Sequence, residues 1–168
     1  YYLRAKYAFE RYKNLLDEED LQITRDLVRK SIELDTSLFA SQILLGKTFL
    51  REYTMDSKKM NLLNKEAKNI FTSTLQQAEE IGDKFWIGRS LRNIGNSIWD
   101  INLDKTHEYY LRSLSISEEI GDKLGMFYSL HNIGSIYWQK RDFDKSIDYH
   151  LHALSISQEI GYNRGIRS

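Results

Sequence analysis

The 168-residue sequence contains no cysteine and no proline. Without cysteine, disulfide bonds and thiolate metal sites are excluded, while the cellular compartment stays open. The absence of proline suits a chain that is nearly all helix, because proline breaks helix interiors. No apolar run approaches the roughly 20 residues needed to cross a bilayer. Because 24 basic and 24 acidic residues cancel, no net field favours nucleic acid or an anionic membrane as the partner.

What the sequence does contain is a repeat of about 40 residues. Gly82 and Gly121 are 39 residues apart, and Gly121 and Gly161 are 40 apart. Each segment opens with Gly-Asp-Lys, carries Asn-Ile-Gly in its middle and has Leu-Ser-Ile-Ser near its end. A period of about 20–50 residues is typical of stacked-repeat proteins, in which each unit contacts mainly its neighbours. The sequence therefore predicts an all-α solenoid.

Apolar spacing divides the chain into helical hairpins. We expect one domain over 1–168, with units at about 1–36, 37–81, 82–120 and 121–160 and a partial fifth unit at 161–168. The predicted helices cover about 1–13, 21–34, 38–52, 65–81, 84–101, 105–120, 123–140 and 143–160. Residues 53–64 fit either an extended loop or extra helical turns. The acidic run 17–20 suits the start of the second helix, where the helix dipole is positive.

Residues that start and stop helices mark the same boundaries. Gly82 and Gly121 are expected to end helices in the left-handed conformation. Asp83 and Asp122 are expected to cap the helices that follow, and the segment 35–37 offers the same groups to the third helix. The chain begins at Tyr1 and stops just after a new unit starts, which predicts a piece of a longer protein. We expect a cytoplasmic location.

The repeats resemble the tetratricopeptide family. In the last unit the matching residues are Leu130, Ile133, Gly134, Tyr137, Ser146, His150 and Ala153. In the third unit they are Leu91, Ile94, Gly95, Ile98, Thr106, Tyr110 and Ser113, and in the second Gln42, Leu45, Gly46, Phe49, Ala67, Phe71 and Thr74. In the first unit Ala5 replaces the glycine. The long period resembles a subclass common in bacterial signalling proteins, and the opening segment resembles repeat regions of bacterial adenylate or guanylate cyclases.

That resemblance implies a right-handed superhelix of about four hairpins, whose first helices line a concave groove that binds a peptide or protein. The groove residues it implies are Lys47, Arg51, Arg89, Arg92, Asn93, Asn96, Trp99, Tyr128, His131, Asn132, Ser135 and Trp138. Asparagine can pair with peptide backbone because it both donates and accepts. Arginine can hold a carboxylate, and tryptophan can anchor an interface. Alternatively, Asn93 and Asn132 only bond neighbouring helices, and the tryptophans are core.

Other site chemistry finds no support in the sequence. His150 and His152 are two residues apart on one helix, so they cannot chelate one metal together. No phosphate-binding loop, nucleophile elbow or zinc-protease motif is present, so no enzyme activity, metal or cofactor is predicted for the chain. The alternative function is a regulatory or self-association module attached to a nucleotide cyclase or another signalling enzyme. In that case Tyr149, Leu151, Leu154 and Ile156, in some combination, are exposed and support a homo-oligomer.

Overall fold

The computed structural model describes residues 1–15, 18–52 and 57–161, and these form eight α-helices. The helices are α1 (Tyr2–Leu15), α2 (Glu18–Leu34), α3 (Phe39–Arg51), α4 (Ser57–Ile81), α5 (Lys84–Ser97), α6 (Leu103–Ile120), α7 (Lys123–Gln139) and α8 (Phe143–Glu159). The described residues contain no strand, which confirms the all-α prediction. None of these helices is both long enough and apolar enough to span a membrane.

The helices pair in chain order, as the repeat predicts. The main contacts join α1 to α2, α3 to α4, α5 to α6 and α7 to α8. The second helix of one hairpin also packs on the first helix of the next hairpin, as α2 does on α3 and α6 does on α7. The short connections between α5 and α6 and between α7 and α8 make the helices of these two pairs antiparallel neighbours. The contacts divide the chain into two compact units, Tyr1–Ile81 and a second beginning at Gly82.

Each unit has apolar packing of its own. In the first unit, Ala5, Phe9, Tyr12, Leu21 and Val28 are among the residues of one cluster. The second unit holds two clusters, whose fully buried members include Tyr110, Leu130, Ile133 and Ile136. The family resemblance implies one continuous superhelix over residues 1–168, and this stays a prediction.

Several helix boundaries differ from the sequence prediction. α2 starts three residues earlier, at Glu18, so the acidic residues 18–20 form its first turn, whereas residue 17 lies outside the described residues. α4 starts at Ser57, so residues 57–64 are extra helical turns, and residues 53–56 lie outside the described part. The predicted end of α5 at Ile101 is wrong. The helix ends at Ser97, because the N–H of Ile98 bonds to the carbonyl of Gly95 and tightens the last turn.

The capping predictions are correct at two places and wrong at one. Gly82 and Gly121 have φ of 72° and 69°, the left-handed region that glycine adopts without strain. Asp83 accepts a hydrogen bond from the N–H of Trp86, and Asp122 accepts one from Gly125. No side chain caps α3, because the Asp35 carboxylate instead accepts hydrogen bonds from Ser37 and closes a local turn. The predicted partial unit at 161–168 lies, after Gly161, outside the described residues.

Candidate functional site

A hollow of about 250 Å³ lies in the second unit, where residues of α5 and α7 come together. It is lined by Asn96, Trp99, Tyr110, Asn132 and Ser135, and we call it the α5–α7 hollow. Asn96 is exposed, while Asn132 and Ser135 are half-buried. The sequence predicted Asn96, Trp99, Asn132 and Ser135 for one surface, and the structure does bring these four together.

The two asparagines of the hollow are linked to each other and to a tyrosine. The Tyr110 hydroxyl donates to Oδ1 of Asn96 over 2.7 Å, and Nδ2 of Asn132 donates to the same oxygen over 3.3 Å. The carbonyl of Asn96 is therefore occupied. Its amide NH₂ group and the side-chain carbonyl of Asn132 have no partner among the described residues, which leaves a donor group with two N–H bonds and an acceptor oxygen at the hollow.

Tyr110 is the residue of the hollow that sequence reasoning assigned only to packing. Its side chain is almost fully buried beneath α5, and burial raises the pKa of its hydroxyl well above the usual value. The hydroxyl therefore stays protonated and donates to Asn96, so it fixes the orientation of that amide. The signal in the sequence was the tyrosine itself, since a buried tyrosine hydroxyl needs a hydrogen-bond partner and Phe71, at the matching position, does not.

Arg92 lies one helical turn before Asn96 and is buried, with 7% of its surface exposed. Its guanidinium stands 5.0 Å from the centre of the Tyr128 ring. Nη1 has no hydrogen-bond partner, and no carboxylate of the described residues forms an ion pair with it. Burial, and next the charge of Arg89, lower the pKa of Arg92 to about 10. A buried cation without an acidic partner costs folding free energy, so its position needs another explanation.

No protein-family model matches the chain, and a comparison with curated proteins gives no match. We therefore compare the site with the matching positions in the chain's other repeats. A helical glycine of α3, α5 or α7 meets a ring of the following helix, in the pairs Gly46–Phe71, Gly95–Tyr110 and Gly134–His150. Of the three pairs, the middle one has a ring hydroxyl, and this hydroxyl reaches Asn96, the residue that follows the glycine. The hollow is thus a local departure from a repeated packing contact.

Asn93 does not lie where the sequence placed it. It is 2% exposed, and its Nδ2 donates to the carbonyl of Arg89 one turn earlier over 2.7 Å. The amide is therefore used inside its own helix and is not presented to a peptide. Arg89 lies against Phe85, with the guanidinium 4.4 Å from the ring centre. Arg92 is also more buried than a groove residue was expected to be.

The remaining predicted groove residues lie around the hollow or in the other unit. Tyr128 is half-buried under Arg92, and His131 is exposed, with its ring 4.9 Å from that of His150. The two tryptophans differ. Trp99 packs against Tyr110, whereas Trp138 is 64% exposed and meets Phe143 edge-on. Lys47 and Arg51 belong to α3 of the first unit, where Arg51 is exposed.

The main charge near the hollow is the buried guanidinium of Arg92. Among residues 1–15, 18–52 and 57–161 no three histidines and carboxylates come together as a metal site would need. His150 packs against Gly134, and His152 is exposed on another side of α8. What the site offers is hydrogen-bonding amides, an aromatic wall and a buried positive charge.

Proposed function

We propose that this chain is a tetratricopeptide-type binding module, and that the α5–α7 hollow with Arg92 holds an extended segment of a protein partner. The main observation is the Asn96–Asn132 pair, which keeps an amide NH₂ group and an amide oxygen unused, one helical turn after a buried arginine that forms no ion pair. A structural role alone leaves the unpaired Nη1 of Arg92 unexplained, because buried polar groups are normally paired. The free amide groups of Asn96 and Asn132 are open to solvent and are therefore accessible to a ligand.

Three features support the tetratricopeptide assignment. The period is about 40 residues, the helices pair in consecutive hairpins, and the contact between a helical glycine and a large ring recurs three times. In such an array the first helices of the hairpins line one concave surface. α5 and α7 are first helices, and they are the ones that carry the hollow.

Each part of the site fits a different part of a peptide. The free NH₂ of Asn96 and the free carbonyl of Asn132 can pair with a backbone carbonyl and a backbone N–H, which every sequence offers. Trp99 provides an apolar wall for a side chain, and tryptophan is among the strongest anchors of interfaces. Arg92 and Arg89 favour an acidic group in the ligand, because the Asp122 carboxylate offsets the charge of Arg92 without forming an ion pair, and a ligand carboxylate would add a closer counter-charge.

The alternative is a regulatory or self-association module attached to a signalling enzyme such as a nucleotide cyclase. One observation favours it, namely the row of exposed apolar side chains on α8, at Phe143, Ile147, Leu151 and Leu154. The two functions use different surfaces, so one chain can serve both.

Peptides selected from a random library on the immobilised 168-residue chain test the peptide function. We expect the selected peptides to be enriched in acidic residues. Asn132→Ala should weaken binding of the best peptide about tenfold, which corresponds to roughly 1.4 kcal/mol. Asn61→Ala, at an exposed asparagine of α4, is the control and should leave the affinity unchanged. If both variants bind like the unmodified chain, the hollow is not the binding site.

A further inference from the structure

The outward side of α8 corresponds, by the internal repeat, to a side of α6 that another helix covers. Leu103 and Leu114 of α6 pack into the cluster that contains Ile133 and Ile136 of α7. His107 meets Tyr137 of α7 with their ring centres 5.4 Å apart. The matching residues of α8, forty positions later, are Phe143, Leu154 and Ile147, and each is about half exposed.

α6 and α8 differ in their ion pairs in the same way as in their apolar contacts. On α6, Asp104 forms an ion pair over 2.7 Å with Lys140 at the end of α7. Its counterpart Asp144 on α8 is exposed and has no ion-pair partner among the described residues, and neither has Asp148 one turn later. The side of α8 defined by Phe143, Asp144, Ile147, Asp148 and Leu154, here the α8 face, is therefore both apolar and acidic. By analogy with α6, a first helix with basic residues would cover it.

Such a helix is present in the same protein. α1 and α2 border an open groove of about 370 Å³, here the α1 groove, lined by Leu3, Arg4, Tyr7, Ala8, Arg11, Asp20, Ile23 and Leu27. Leu3 and Tyr7 are 77% and 69% exposed. Arg4 has no ion-pair partner among the described residues, and Arg11 is half exposed although it pairs with Asp20. The α1 groove is therefore apolar and basic, which complements the α8 face in both respects.

We propose that the α8 face of one copy docks into the α1 groove of a second copy, so that the chain associates head to tail. The contact reproduces between copies what α6 and α7 form within the second unit, with carboxylates of α8 facing arginines of α1. Of the exposed α8 side chains that the sequence indicated, Leu154 takes part. Ile156 does not, because it is buried against Leu130 and Ala153. Since the two surfaces differ, the contact is heterologous and leaves one free end on each copy.

Sedimentation velocity over a concentration series tests this arrangement, with two variants that each block one surface. Ile147→Glu blocks the α8 face and Tyr7→Glu blocks the α1 groove, and both positions are exposed, so both variants should keep the helical circular dichroism of the unmodified chain. Leu62→Glu, at an equally exposed leucine of α4, is the matched control. We expect the unmodified chain and the control to self-associate, more weakly at high salt, and each blocked variant alone to stay monomeric.

The decisive sample is an equimolar mixture of the two blocked variants. Each retains one intact surface, so the mixture should contain a species of twice the monomer mass and nothing larger. Association of Tyr7→Glu alone would show an α8–α8 contact and overturn the proposal, as would a mixture that stays monomeric. An unmodified chain that stays monomeric at every concentration would also overturn it.

Discussion

At the scale of the residue, the tightest packing in the protein depends on glycines inside helices. A Cβ placed on Gly95 would lie 2.6 Å from the Tyr110 ring, which is held in the core. Gly88, two turns earlier on the same helix, differs, because its Cβ would meet Ile116 at an ordinary 3.4 Å. The same substitution should therefore have opposite effects at two positions of α5.

Gly95→Ala is expected to lower the free energy of unfolding by about 1–3 kcal/mol, since overpacking a fixed ring forces the helices apart. Gly88→Ala should leave it unchanged or raise it by up to about 1 kcal/mol, the gain in helix propensity over glycine. Urea unfolding followed by circular dichroism measures both. Equal destabilisation by the two variants would contradict the close contact between Gly95 and Tyr110.

Arg92 is expected to separate stability from binding. Arg92→Met removes a buried charge that has no acidic partner and keeps most of the side-chain volume. Because an unpaired buried charge is unfavourable, the variant should be as stable as the unmodified chain or more stable by about 1 kcal/mol. It should nevertheless lose affinity for acidic peptides. Thermal unfolding and peptide titration on the same sample check the two effects, and a clear loss of stability would assign Arg92 a structural role.

Residue spacing predicted part of the site and could not predict the rest. Asn132 and Ser135 share a surface because positions three apart lie on one side of a helix, whereas Trp99 lies in the turn after α5 and reaches the hollow by packing against Tyr110. The burial of Asn93, which follows Arg92 and lies one turn before Ser97, could not be predicted from its position. It depends on how closely the neighbouring helices approach. The hydrogen bond from Tyr110 to Asn96 joins two helices, so it depends on their relative height, which no single helix determines.

At the scale of the element, aspartates at helix starts contribute measurable stability. The Asp122 carboxylate accepts the N–H of Gly125 over 2.9 Å and so satisfies one free donor of the first turn of α7. Asp122→Ala should therefore cost about 1 kcal/mol. Asp100→Ala, at an exposed aspartate of the turn after α5, should cost less than about 0.5 kcal/mol. Chemical unfolding measures the free energy of unfolding of both variants. Equal losses would show that the Asp122 cap adds no stability of its own.

Glu52, directly after α3, should make the first unit sensitive to acid. Its carboxylate bridges Arg25 of α2 and Lys59 of α4 over 2.8 and 2.7 Å. Burial raises the pKa of Glu52, but the hydrogen bonds from Lys59 and Arg25 outweigh burial and hold it below the usual 4.5. The folded state thus favours the charged form. The resulting stability is present above about pH 4.5 and is lost as the pH falls through the lower pKa of the folded state.

Glu52→Gln is expected to lower the free energy of unfolding by about 1–3 kcal/mol at pH 7, since it leaves part of the Arg25 charge uncompensated. The difference from the unmodified chain should shrink as the pH falls towards 3. Unfolding curves at several pH values measure it. Glu66→Gln, at an exposed glutamate of α4, is the control and should show no such trend.

Helix ends show where local sequence suffices and where it does not. The glycine and aspartate pairs at 82–83 and 121–122 were predictable, because their chemistry acts within a few residues. The segment 35–37 carries similar residues, but Asp35 bonds Ser37 in the turn and leaves α3 without a side-chain cap. α5 continues in apolar pattern to Ile101, yet Asn102 must be extended to cap α6, so the chain leaves the helix at Ile98. Two uses of the same residue types compete, and tertiary packing decides between them.

At the scale of the whole molecule, the repeat predicted the helical hairpins and their order but not the division at Gly82. Nothing in the 39–40-residue period distinguishes that glycine from Gly121, since both end a helix in the same conformation. The division depends on side-chain packing within each unit, which the period does not describe. The proposed binding surface belongs to the second unit alone, and the predicted groove residues Lys47 and Arg51 lie on α3 of the first unit.

Nuclear magnetic resonance on the ¹⁵N-labelled chain, titrated with the best selected peptide, tests whether the α5–α7 hollow is the binding site. The side-chain amide signals of Asn96 and Asn132 and the indole N–H of Trp99 report on the α5–α7 hollow itself. We expect these signals to shift in proportion to the peptide bound. The side-chain signals of Asn61 on α4 and Gln158 on α8 should stay in place. Saturable binding that leaves Asn96, Asn132 and Trp99 unshifted would contradict it.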